Sequence, residues 1–360
     1  METLLEYGLF LLKTATVVAG IFFALIGIIR AISQARQSDA LEGEIEITNL
    51  SELLDGYKDA LLQSTLSEDD YKKHLKAEKK AQKQKEREQK KGSKQLDDSE
   101  ETEESTSSKL FVLNFDGDVE ASDVEGLREC ISALLNTIDE QDEVLVILES
   151  AGGYMHSYGL AASQLARLRT HNIHLTVAVD TMAASGGYLM ACVANQIIAA
   201  PFAIVGSIGV IAEIPNFHKL LKKHEIDYEL HTAGQYKRTL TLFGENTDKY
   251  RRKFVEELED AHYLFKKHIL EYRELDIEKV ATGEHWQGEQ AIELGLIDQI
   301  ETSDDFILNF HKKHPGNVFK IEYTVPESWI DKLHGRFLGV FSDGLSRIYT
   351  QLLKSKYPKT

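Results

Sequence analysis

Three short runs constrain this chain more than anything else in it. LFVLNF (110–115), VLVIL (144–148) and LTVAV (175–179) are apolar without alternating with polar residues. A strand with one wet face would alternate, so these are expected to be covered on both faces, as the strands of parallel sheets are. Between them lie helical patterns, one carrying Val124, Leu127, Ile131, Leu134 and Leu135, the next Leu160, Ala161, Gln164, Leu165 and Leu168. Such helices supply the right-handed crossovers that parallel strands need. The pattern predicts an α/β domain over 109–305. Further on, Phe254, Val255, Leu258, Ala261, Phe265, Ile269 and Tyr272 mark a long amphipathic helix, and another helix ends at Leu294 with Gly295 as its left-handed cap.

Upstream of this domain the texture differs. From Gly8 to Ile29 only Lys13 is charged, and a helix of that length reaches across the roughly 30 Å of bilayer hydrocarbon. Residues 1–34 are read as a transmembrane anchor. A cleaved signal peptide is the alternative, since Ala31 and Ser33 offer small residues, but Glu2 and Glu6 stand where a basic region is expected. The rest of the stretch to residue 108 reads as a charged helical or flexible tether. Its Lys72–Lys94 part holds eleven Lys or Arg against three Glu, and Asp97–Glu104 holds six acids and no base. Blocks of this kind bury too little surface to offset the entropy of ordering. The basic flank after the apolar run favours a cytoplasmic location for the bulk of the chain, although long domains can translocate against such a bias. Residues 306–360 form a C-terminal extension, with Leu333, Phe337, Val340, Phe341, Leu345, Ile348 and Leu352 at roughly helical spacing.

Composition excludes several functions. A net charge of −17 argues against a general nucleic-acid binder, which needs a basic face. The two cysteines, Cys130 and Cys192, sit in apolar helix-like stretches and are expected to be buried thiols. No His/Cys/Asp/Glu spacing of a metal centre appears, and no nucleotide-binding fingerprint follows a strand. No metal and no cofactor are expected.

Chemistry is expected at two glycine-rich turns on the same sheet edge. In TVAVDTMAASGGYLMACVAN (176–195) a buried strand ends near Val179, and a small-residue turn brings Ser185 to the start of an apolar helix. Amides of a helix's first turn lack partners and carry partial positive charge, so they suit negative charge developing beside a serine oxygen. In ESAGGYMHSYGLAA (149–162), Gly152 and Gly153 follow the VLVIL strand at the edge where ligands of open α/β sheets gather. A serine nucleophile also needs a base. His156 is nearest to the Gly-Gly loop. Lys237, in YELHTAGQYKRTLTLFGENT (228–247), is expected just after a strand and a Gly234 turn. As a base it would have to lose its proton near neutral pH, a fall of about three units that burial can produce. A solvated loop lysine is the other reading of Lys237, and a tightly packed structural turn is the other reading of each glycine motif.

The strings ESAGG, AASGGY, FAIVGSIGV, HTAGQYKRTLT and ATGEHWQGEQAIELGLID together resemble the bacterial signal peptide peptidase family, over the chain to about residue 300. The resemblance implies a crotonase-like, Clp-protease-like fold and a membrane serine endopeptidase with a Ser-Lys dyad. It implies Ser185 as nucleophile, Lys237 as general base, and the amides around Gly152, Gly153 and Gly186 as the oxyanion site. It further implies peptide or unfolded-polypeptide substrates, a homo-oligomer, and residence in the bacterial inner membrane, where related peptidases commonly face outward. Ala151 stands where many relatives have proline, which puts the rigidity of that loop in question. Ser207 is placed near the dyad or in a plain turn, and His285 and Trp286 are read as packing. Two rivals remain: an inactive membrane scaffold of the same fold, and a crotonase-type acyl-CoA enzyme.

Overall fold

The computed structural model describes residues 43–77 and 108–325, with isolated positions at 13, 16 and 80. The expected anchor, most of the charged run and the C-terminal amphipathic pattern lie outside the described residues. Among those described, no helix is long and apolar enough to cross a membrane.

The elements run β1 (Glu44–Asn49), α1 (Leu50–Thr65), β2 (Leu110–Gly117), α2 (Val124–Leu134), β3 (Glu143–Ser150), α3 (Met155–Thr170), β4 (His174–Val179), β5 (Met182–Ala184) and α4 (Gly186–Ala191). They continue with β6 (Gln196–Ala199), β7 (Ile204–Gly206), α5 (His218–Lys223), α6 (Asp248–Tyr272), α7 (Ile277–Val280), β8 (His285–Gln287), α8 (Gly288–Ala291), β9 (Gln299–Ile300), α9 (Ser303–Lys313) and β10 (Val318–Thr324). This is the mixed α/β architecture expected, with a largely parallel sheet.

The three apolar runs form its centre. β2 pairs in parallel with β3 from Leu110↔Glu143 to Gly117↔Ser150, and β3 pairs in parallel with β4 from Glu143↔His174 to Ile147↔Ala178. Alternate side chains enter opposite layers. Val144, Val146 and Leu148 join the larger core with α2, α3 and α4, whereas Leu145 packs with Leu110, Val112, Phe310 and Val318 in the smaller one. The absence of polar alternation in the sequence has this double covering as its cause.

The described residues fall almost wholly in one compact unit, Ile45–Tyr323. β1 and β10 extend the sheet beyond β2. Asn49 caps α1 by accepting from the Glu52 amide at 3.2 Å. The same helix is pinned to α9 and β10 through the buried Ser51 hydroxyl, which lies 3.2 Å from His311 Nδ1 and accepts from the Val318 amide at 3.1 Å. These contacts join residues more than 250 positions apart, beyond the reach of local pattern.

At its C-terminal end the sheet branches. After β4 the chain steps aside at Asp180 and Thr181, and β5 returns to pair with the last residue of β3, Ser150↔Ala183. β7 then pairs in parallel with β5, and β8 closes the branch in antiparallel fashion. This branch sets the two glycine-rich turns side by side.

Two expectations need correction. No strand precedes Lys237: residues 224–247 contain neither helix nor strand. An extended segment becomes a strand only when a neighbour takes its backbone hydrogen bonds, and among the described residues none does so for 227–233. The helix before Gly295 ends at Ala291 and gives way to a turn, although Gly295 does adopt the left-handed conformation at φ +72°. The amphipathic helix over 251–272 is present as α6, capped by Thr247, with only Phe265 and Ile269 fully buried.

Candidate active site

Ser185 sits between β5 and α4 with φ 52° and ψ −115°. A non-glycine residue in that sparsely populated region costs about 1–3 kcal/mol and persists only where its surroundings hold it. Here the Ser185 amide donates to the Gly206 carbonyl at 2.8 Å, and its carbonyl accepts from the Leu189 amide at 3.0 Å. The serine is half-buried at the tip of a turn whose neighbours Ala183, Ala184, Gly186 and Gly187 are all buried.

Each small residue has a physical reason. A methyl on Gly186 would come within 2.4 Å of the Tyr158 ring, and one on Gly187 within 2.9 Å of the Ser150 carbonyl oxygen. Across the turn, Gly152 adopts φ +88°, and a methyl there would lie 2.7 Å from both the Ser185 Cβ and the Gly186 nitrogen. A methyl on Gly153 would enter the Val119 carbonyl. The structure thus brings Gly152, Ser185 and Gly186 into direct contact.

The backbone amides divide into two kinds. Gly152 N–H is already used: it donates to Ser150 Oγ at 3.0 Å. Among the described residues, the amides of Gly153 and Gly186 have no hydrogen-bond partner. Unpaired amides beside a serine hydroxyl can receive an oxyanion.

Lys237 lies elsewhere. Its amide donates to the Gly234 carbonyl at 3.2 Å in a turn where Gly234 has φ +97°. Its side chain is exposed and, among the described residues, forms neither an ion pair nor a side-chain hydrogen bond. The surrounding arm is unusually apolar for an exposed segment: Ile211, Phe217, Leu220, Ile226, Leu230 and Tyr236 are each at least 42% exposed. His156, the alternative base, is exposed and stacks on Tyr154 with ring centroids 5.6 Å apart.

The remaining residues are structural. Ser207 has φ 51° and donates its amide to the Glu284 carbonyl at 2.7 Å, next to the Gly206 that holds Ser185. Trp286 packs against Gly206, where a methyl would meet the indole at 2.8 Å. Cys130 and Cys192 are buried free thiols, and burial pushes Cys130 up to about 11. Among the described residues no cluster of His, Cys, Asp and Glu could hold a metal ion. What sequence reading missed is Ser150 with Tyr158: a serine at a strand end and a tyrosine on a helix carry no local signal of being neighbours.

A serine on a strained strand-to-helix turn, with unpaired amides beside it at the C-terminal edge of a parallel sheet, is the arrangement of an acyl-transfer hydrolase. The N-terminal model of peptidase family S49 matches residues 2–165, and the peptidase family S49 model itself matches residues 167–315. The chain belongs to peptidase family S49 and is a serine peptidase acting on polypeptide. It is 49% identical over 332 residues to the probable protease SohB of Haemophilus influenzae, covering 92% of each chain. It is also 48% identical to the probable protease SohB of Buchnera aphidicola subsp. Schlechtendalia chinensis, over 86% of this chain and all of that one. A more distant relative is the putative protease MJ0651 of Methanocaldococcus jannaschii, 28% identical over 54% of this chain and 65% of that protein. The family selects a peptidase over the acyl-CoA enzyme.

Proposed function

We propose that the chain is a membrane-anchored endopeptidase that cleaves through Ser185 and Lys237. Neutral Lys237 takes the Ser185 proton, the serine oxygen attacks a peptide carbonyl, and the oxyanion rests on the Gly153 and Gly186 amides. The lysine then protonates the leaving amine, and water hydrolyses the acyl-enzyme. Gly152 serves by leaving room beside the serine. The observation that carries this reading is the strained Ser185 turn with unpaired amides next to it.

The exposed arm supports a homo-oligomer in which a second copy covers the apolar residues around Lys237. Covering them would also exclude water from around the Lys237 side chain. The substrates are signal-peptide remnants or misfolded membrane and envelope polypeptides, and residues 8–29 anchor a crotonase-like protease domain in the inner membrane.

Ser185→Ala and Lys237→Ala, each purified folded and assayed on an unfolded hydrophobic peptide, test the dyad: both are expected to be inert, and wild-type hydrolysis by either overturns it. Mixing the two inert variants tests the assembly. Recovered activity means that serine and lysine come from different copies; co-assembly without activity places both in one chain. A phosphonate probe that fails to label Ser185 in the wild type would make the chain an inactive scaffold.

A further inference from the structure

The loop that carries Gly152 and Gly153 lacks a rigidifying proline, yet it is held by a chain of hydrogen bonds running away from the site. Gly152 N–H donates to Ser150 Oγ at 3.0 Å, and Ser150 Oγ lies 2.5 Å from Tyr158 Oη, which donates to the Asp118 carbonyl at 2.6 Å. The Asp118 carbonyl can only accept, so Tyr158 spends its single proton there, and the Ser150 hydroxyl is the donor in the middle bond, sharing its proton with the Gly117 carbonyl at 3.2 Å. All three donors then point in one direction, the arrangement in which each bond polarises the next. Burial raises the Tyr158 phenol above its ordinary value, so it stays protonated at neutral pH.

The same tyrosine touches the other half of the site. Its ring fills the space against Gly186 that a methyl would need, and the Ser150 carbonyl does the same for Gly187. Tyr158 and Ser150 therefore contact both turns that flank Ser185, and both are buried, with 0% and 3% exposure. Neither reaches the reacting atoms.

We propose that Ser150 and Tyr158 are positioning residues: by fixing the Gly152 amide inward, their hydroxyls leave the Gly153 amide as the loop's donor and hold it in register with that of Gly186. This rests on the reading of Ser185 as nucleophile. Losing the Ser150 hydroxyl frees the Gly152 amide, and losing the Tyr158 hydroxyl removes the acceptor that orients Ser150; either lets the loop shift, which should weaken binding of the tetrahedral oxyanion and leave substrate binding alone.

The test uses Tyr158→Phe, which keeps the ring against Gly186, and Ser150→Ala, in the full-length protein. For each, kcat and KM are measured on a peptide, with the affinity of a peptide boronate, whose serine adduct is a tetrahedral boronate with an oxygen in the oxyanion position. The expected result is a fall in kcat of about 10- to 100-fold, short of the roughly 100- to 1000-fold that outright loss of an oxyanion donor costs, with KM within about twofold and boronate affinity falling in proportion to kcat/KM. Unchanged kcat and boronate affinity in both variants would overturn the proposal, as would a rise in KM at constant kcat. So would failure of both variants to fold, which would make the pair a support of the core alone. If Ser185→Ala retains activity, the dyad reading fails instead, so the two failures are distinguishable.

Discussion

Ser185 and Lys237 lie in regions built on opposite principles. Around Ser185 every neighbour is specified by contact: Gly152, Gly186 and Gly187 have no room for a methyl, and strain at Ser185 is held by bonds to Gly206 and Leu189. Around Lys237 the chain is exposed at every residue from 222 to 238, and large apolar side chains face outward. The first region is packed by residues of this chain. The second has the composition of an interaction surface, because contiguous exposed apolar residues mark such sites.

The largest expected effect breaks function in both regions while separating them in stability. Lys237→Ala should lower kcat by about three orders of magnitude or more, as loss of an activating base does, yet leave the melting temperature of the isolated chain within about 2 °C, because the side chain is exposed. Activity assay and thermal unfolding on the same sample check this.

Glycine substitutions sharpen the contrast next. Gly152→Ala combines a positive φ with a methyl 2.7 Å from the Ser185 Cβ, and should cost about 2–4 kcal/mol together with most activity. Gly234→Ala shares the positive φ, but its methyl would meet only the Lys237 Cβ, at 3.9 Å, so about 1–2 kcal/mol is expected. Urea unfolding of the two variants gives the comparison directly.

Leucines test the same point through packing. Leu165→Ala empties a site at 0% exposure in the core and should cost about 2–5 kcal/mol. Leu230, at 46% exposure on the arm, should cost below about 1 kcal/mol in the isolated chain, as exposed positions do. If the arm is a subunit contact, Leu230→Asp shifts the sedimentation profile toward smaller species; an unchanged profile frees the arm from that role.

The smallest effect lies on α6, where the helix meets the core. Burial holds His268 below its usual value, against the hydrogen bond its ring makes with the Leu189 carbonyl. A histidine depressed by folding contributes stability above its unfolded value near about 6.5, and that stability is lost as the pH falls through the lower folded value. Between pH 7.5 and 5 the wild type should therefore lose slightly more stability than His268→Gln. Equal losses would show that His268 does not sense the core.

Much of the fold was legible because its strands are covered on both faces. LFVLNF, VLVIL and LTVAV appear as β2, β3 and β4, and the helical patterns between them as α2 and α3. The small-residue turn at Ser185 was legible for the same reason: Ala183, Ala184, Gly186 and Gly187 report crowding. The short β5 was not, since its three residues become a strand only by pairing with Ser150 and β7. The segment before Lys237 failed in the opposite sense, for extended residues without a pairing partner remain coil.

By itself the sequence determined what depends on neighbours along the chain: apolar periodicity, crossover helices, and the small residues that flank one serine. The tertiary structure alone decided which carbonyl holds that serine, that Ser150 consumes the Gly152 amide, and that Tyr158 underlies both turns. Those relations join residues across strands and layers, and the energy of such contacts is set by distances that no local pattern encodes.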